Sequence, residues 1–348
     1  METALDTLVA LAERYSFADV AALVAIGAGG HRLTTREVAQ LQQLCAFGQR
    51  LIDLDAEDFG RTDAASGSNV EHGFAAGGQG DSVPEKLLVR ALECRMPQSP
   101  REKHRGALGS LRPAYELLLE VIKARFARRE TMLVVATVHI ASEYAPLLAW
   151  ENVLGHAGDP ARLHTAVTGE GSVWGEFEDR NCPHTKPEKS AAKRVLTVAR
   201  ENATGWRSYL DRQHSNVSRA LAVCAAACRQ PCTVYTRLSQ PQAESVTHGS
   251  KLALALNDSA ILRLRHSAPV GHGFGVPSPA EVLQAWDHTR ESLARIEPAI
   301  EQDDGYPLPG FATFVSTLAG QPMKAATLLA DTSESITAVL RAASPARV

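Results

Sequence analysis

Arg129–Leu154, RETMLVVATVHIASEYAPLLAWENVL, is the longest strongly apolar stretch of the 348-residue chain, and its reading decides the fold class. It meets no turn signal before Pro146, so its length predicts a core helix; Val134, Val135 and Val138 keep a buried strand open at its start. His139, Glu143, Trp150 and Glu151 interrupt the apolar pattern. On a helix, residues four apart share a face, so His139 and Glu143 stand one turn from each other. Polar groups on a buried face need a partner: each other, a metal, a ligand or a neighbouring helix. Pro146 removes one backbone bond and frees the carbonyl of Ser142, which predicts a kink, or an end near Tyr144 and a restart.

Helix-start signals recur on either side. Thr34-Thr-Arg-Glu37 is a capping box that opens a helix with Val38, Leu41, Cys45 and Ile52 on one face, where Gly48 lets a neighbour approach closely. Ser82-Val-Pro-Glu85 restarts helix as far as about Met96. A further helix, from about Leu111 to Arg128, carries Tyr115, Leu118, Leu119, Ile122 and Phe126, with Glu116 and Glu120 four apart on a solvated flank. Thr185-Lys-Pro-Glu188 starts another. It could run to about Arg229, about 65 Å if straight, with a break near Gly205 or Ser215 as the alternative. Ser278-Pro-Ala-Glu281 opens a helix expected to reach Ile300.

Three stretches lack periodicity. Residues 53–81 and 269–279 are Gly-rich and share the triplets His72-Gly-Phe74 and His272-Gly-Phe274; residues 165–184 are irregular, and the 155–184 loop marks a possible division between a helical region 1–154 and another at 185–348, the two expected to pack as one large domain. Backbone in Gly-rich loops can come close to a ligand, which makes His72 and His272 candidate pocket walls. Lys251–Arg265 alternates Leu252, Leu254 and Leu256 before Ile261 and Leu264, which reads as a short β-hairpin around Asn257-Asp258 or, given its leucines and alanines, as helix. The expected fold is therefore mainly α: an irregular multi-helix bundle with long Gly-rich loops and one short hairpin in doubt.

Bulk composition narrows the partners. Net charge is −3, and the 22% of charged residues form no basic stripe, so no strong nucleic-acid signal is present. The densest positive cluster, Lys123–Arg129, reads as a solvated helix face or terminus. Aromatics at 5% leave no stacking surface for bases. The first residues, METALDTLVALAERY, form an amphipathic pattern without a signal peptide's positive start, and no uninterrupted apolar run is long enough to predict a membrane span. A cytoplasmic protein with six reduced cysteines is expected.

Two constellations carry candidate chemistry. Carboxylate-bridged metal bundles place glutamates and histidines one turn apart on facing helices, and Glu116, Glu120, His139, Glu143, Glu151, Glu201 and His214 supply that set, although the usual Glu-x-x-His unit is absent. A haem would need one buried helix histidine, for which His139 or His214 is available, although charged neighbours of His214 favour a surface position for it. Cys224-x-x-x-Cys228-x-x-x-Cys232, with Cys182 and His184, offers thiolates for zinc or an iron–sulfur cluster, or a set of buried free thiols. No nucleotide-binding glycine pattern, G-x-S-x-G elbow or H-E-x-x-H occurs. The resulting expectation is an iron- or haem-dependent oxidoreductase acting on a small molecule, with His139 and Glu143 as ligand or catalytic residues and His72 and His272 nearby. The alternative is a non-catalytic interaction or scaffold protein that binds a protein partner.

Overall fold

The computed structural model describes residues 4–55, 83–167, 174, 183–267 and 275–343. Its elements are helices, with no strand among the described residues. They form two compact units: Met1–Arg95 together with Ala326–Val348, and Met96–Ala325. Residues 155–184 fall inside the second unit, and His72, His272 and Cys182 lie outside the described residues.

The first unit contains α1 (Ala4–Glu13), α2 (Phe17–Ala25), α3 (Thr35–Asp53) and α4 (Glu85–Cys94). Thr34 opens α3 as expected: its hydroxyl accepts from the Glu37 N–H, and the Glu37 carboxylate accepts from the Thr34 N–H at 2.8 Å. Leu41, Leu44, Cys45, Leu51 and Ile52 are buried on α3. Gly48 lies beneath the buried ring of Phe17, and a Cβ there would stand 2.8 Å from it, so this glycine admits α2 at close range.

Ten of the second unit's helices are α5 (Arg112–Ala127), α6 (Thr131–Leu154), α7 (Pro160–Ala166), α8 (Lys186–Val198), α9 (Ala203–Arg212), α10 (His214–Ala226), α11 (Thr233–Thr236), α12 (Gln240–Asn257), α13 (Ala260–Ser267) and α14 (Pro279–Ala294). The last in this unit is α15 (Phe311–Ala319); α16 (Leu328–Ala342) belongs to the first unit and packs against α1, α3 and α4. There the Ser333 hydroxyl donates to the Ala12 carbonyl at 2.8 Å.

The decisive stretch is the core helix α6. It packs against α5, α10, α12, α13 and α15, and it is apolar around most of its circumference, as a helix enclosed by others must be. It continues through Pro146, and Gly155 ends it in the left-handed conformation. By length and composition α6 could cross a membrane, but most of its apolar stretch is buried among its neighbours, the environment of a core helix. Glu151 is buried near its end. Its carboxylate accepts from the Ser110 hydroxyl at 2.6 Å and the Leu111 N–H at 2.8 Å, at the N-terminus of α5 where a negative charge is favoured.

Three expectations are corrected. The hairpin at 251–265 is the end of α12 and most of α13. Ser239 and Gln242 form a capping box that starts α12, and Gly249, Leu252, Ala253 and Leu256 are buried together at helical spacing. The long element at 185–229 is three helices. Asn202 caps α9 by accepting from the Gly205 N–H at 2.9 Å, and the chain breaks again at Gln213. The helix from Ser278 stops at Ala294, followed by a short 3-10 turn at Pro298–Glu301.

Candidate functional site

His139 and Glu143 do meet. His139 Nε2 lies 3.3 Å from Glu143 Oε1, with the side chains 22% and 37% exposed, so the pair stands at the edge of the unit rather than in a buried interior. Arg265 of α13 supplies the third member by approaching His139 Nε2 through its guanidinium. The other residues of the expected metal set go elsewhere. Glu201 pairs with Arg194, Glu151 serves α5, and Glu116 is half-buried on α5. Glu120, expected on a solvated flank, is buried. Among the described residues, no three histidine, cysteine or acidic side chains are grouped so as to hold a metal ion.

His214 corrects the surface expectation, for it is fully enclosed at the start of α10. Its Nδ1 lies 3.2 Å from the Tyr209 hydroxyl, and its ring stands within 6 Å of those of Tyr209 and Tyr144. Burial lowers its pKa to about 4, with Asp159 and an Ala157 backbone contact acting in the opposite direction. Burial likewise brings His156 down to about 4 against the opposing charge of Asp159. Its Nδ1 accepts from the Asp159 N–H at 3.0 Å, so the neutral ring carries its proton on Nε2.

Asp159 is itself buried and is bound in bidentate fashion by Arg105, whose Nε and Nη2 each lie 2.8 Å from a carboxylate oxygen. Arg105 Nη1 donates to the Glu102 carbonyl at 3.0 Å, and the guanidinium lies 5.2 Å from the centre of the Trp206 ring. Asp159 also caps α7 by accepting from the Ala161 N–H. Both carboxylate oxygens of Asp159 and the Arg105 guanidinium have structural partners, whereas no well-formed hydrogen bond reaches His214 Nε2. The cluster therefore joins the 97–109 segment, α7, α9 and α10.

A second buried polar cluster contains sulfur. His184, Glu188, Cys224 and Cys232 are all buried, and they come from the entry to α8, from α10 and from the cap of α11. Glu188 completes the capping box of α8, with Oε2 accepting from the Thr185 N–H at 2.9 Å. The same carboxylate lies 3.4 Å from His184 Nδ1 and 2.9 Å from Arg219 Nε. Burial alone would raise its pKa; His184, the Thr185 N–H and Arg219 together hold it below the usual carboxylate range. His184 turns its other nitrogen, Nε2, to Cys224 Sγ at 3.5 Å. Glutamate, histidine and thiol thus stand in line, although no well-formed hydrogen bond reaches His184 Nδ1.

Three sulfurs complete this cluster. Cys224 interacts with both Cys228, four residues on, and Cys232, where Pro231 has turned the chain back. The two buried thiols are pushed in opposite directions. Cys232 is held below the ordinary cysteine value chiefly by the neighbouring Cys224 side chain; burial opposes this, and the Tyr235 and Val234 N–H groups favour the anion without closing a cap hydrogen bond. At Cys224 the Cys228 thiol acts to lower the value, but the bond to Cys232, burial and the charge of Cys232 raise it overall. Cys228 is half-buried, with its Sγ 3.3 Å from the Gln230 carbonyl.

The spacing of Cys224, Cys228 and Cys232, taken with His184, points to this cluster in the sequence; the helix itself ends at Ala226, before Cys228. Glu188 was missed because its capping role accounts for its position. No sequence signal indicated the buried ion pair of Arg105 and Asp159. Compared with known proteins, the chain matches no family model, no curated protein and no solved structure.

Proposed function

We propose that this protein is an oxidoreductase of the thiol–disulfide type, with Cys224 and Cys232 as its redox couple and a small molecule as its partner in exchange. The observation that carries the reading is the buried grouping itself: Cys224 and Cys232 interact with each other in the interior, and His184 Nε2 lies 3.5 Å from Cys224 Sγ with the Glu188 carboxylate behind it. A thiolate is the species that attacks a disulfide, and a neighbouring thiol resolves the mixed disulfide. His184, 3.5 Å from Cys224, can take the proton that Cys224 loses when it forms the disulfide, and Glu188 and Arg219 orient the ring and balance its charge. Electrons in this scheme travel on sulfur, in place of the iron or haem expected from His139 and His214.

Equilibration of the purified protein in buffers of graded glutathione redox potential is the test. Two thiols are expected to disappear together and reversibly, with peptide mapping placing the disulfide between Cys224 and Cys232. Retention of every thiol at the most oxidising poise would overturn the reading. So would near-stoichiometric zinc or iron released by substituting Cys224, Cys228 and Cys232, which would make these residues ligands.

A further inference from the structure

Cys232 is fully buried and Cys224 nearly so, which keeps any dissolved oxidant from touching either sulfur. Cys228 differs. It lies just beyond the end of α10, half-buried, between the exposed residues Ala227, Arg229 and Gln230. It follows Cys224 by four residues, and the two side chains interact. Cys224 thus interacts with both other sulfurs, and Cys228 is the most exposed of the three.

We propose, on the premise of the dithiol reading above, that Cys228 is the port of this couple and that its co-reactant is a small anionic disulfide. The exposed Arg229 beside it offers a cation to carboxylates on that molecule. In the first exchange the Cys228 thiol loses its proton to solvent and attacks one sulfur of the co-reactant. The co-reactant's S–S bond breaks, a mixed disulfide forms on Cys228, and one thiolate leaves and takes up a proton from solvent. Cys224 then passes its proton to His184 and attacks the Cys228 sulfur. The second half of the co-reactant leaves as a thiolate, and a Cys224–Cys228 disulfide forms. Finally the Cys232 thiolate attacks Cys224 and expels Cys228, which recovers a proton. Two protein thiols have been oxidised and one small disulfide reduced to two thiols, so electrons balance and the port is regenerated.

The experiment uses the whole reduced protein and oxidised glutathione as the probe, with rapid acid quenching and mass spectrometry. In Cys228→Ser, and in Cys228→Ala as a second variant, formation of the Cys224–Cys232 disulfide should slow at least tenfold, while its equilibrium midpoint stays that of the parent. In Cys224→Ser the exchange should halt with one glutathione held on Cys228. Oxidation of both Cys228 variants at the parent rate, or trapping of glutathione on Cys232, would overturn the port. If the parent itself forms no Cys224–Cys232 disulfide, the dithiol reading fails first. If the parent forms it and the Cys228 variants are unaffected, the port alone fails.

Discussion

Replacing Asp159 with alanine is expected to destabilise the protein by about 3–5 kcal/mol, the usual cost of stripping one partner from a buried ion pair. The loss has two sources. Arg105 would keep its charge in a site where its side chain is only 12% exposed, and α7 would lose the carboxylate that caps it. Cap removal accounts for only about 1 kcal/mol, so most of the loss is the stranded guanidinium. A double-mutant cycle separates the two. Combining Asp159→Leu with Arg105→Met should recover much of the damage, because an apolar pair needs no charge compensation. Denaturant unfolding followed by tryptophan fluorescence supplies the values. A loss below about 1 kcal/mol for Asp159→Ala, the range of an exposed pair, would show that the bidentate contact does not hold this part of the fold together.

Mild acid should unfold the protein through His156 and His214. Each titrates near 4 when folded against an ordinary value of 6.5, so the unfolded chain binds the extra protons. Stability from these groups is complete above about pH 6.5, declines as pH falls through the window, and reaches its full loss below about pH 4. A separation of this size corresponds to a cost on the order of 3 kcal/mol per histidine. The two sites share the field of Asp159, so their costs combine without strict additivity. Unfolding free energy measured across this window should fall steeply in the parent and less steeply in His214→Gln. Equal slopes in the two proteins would mean that His214 is not held neutral by burial.

What the sequence made legible was local. The capping boxes at Thr34, Thr185 and Ser278 each start a helix because hydroxyl and glutamate satisfy neighbouring N–H groups regardless of tertiary contacts. The box at Ser239 obeys the same rule, but the alternation of Leu252, Leu254 and Leu256 suggested strand; the structure places Leu252 and Leu256 in the core at helical spacing. His139 and Glu143 meet because four residues of helix bring them together. Their exposure was not legible, since it depends on where α12, α13 and α15 leave α6 uncovered. Arg265 was hidden for a related reason: it lies in the stretch read as a hairpin.

His214 shows why buried polar sites resist reading from sequence. Asp211, Arg212 and Gln213 before it suggest a wet surface, and a continuous helix would have kept that pattern. The break at Gln213 reorients the chain and turns the ring towards Tyr209 and Tyr144. Arg105 and Asp159 are 54 positions apart in loop segments, where charged residues are common and periodicity says nothing. The sulfur cluster lies between these extremes. Spacing pairs Cys224 with Cys228, and Pro231 suggests the return of Cys232. The opposite shifts of the two buried thiols come from their contact with each other, which only the fold brings about.

The most direct test of the central claim, an interacting couple of Cys224 and Cys232 in which Cys232 ionises first, is a pH titration of the thiolate absorbance of the reduced protein in the far ultraviolet. The parent is expected to gain one thiolate equivalent below the ordinary cysteine value, and Cys232→Ser is expected to lose that early step while keeping the later ones. A parent whose thiols all titrate at or above the ordinary value, or an early step that survives in Cys232→Ser, would contradict it.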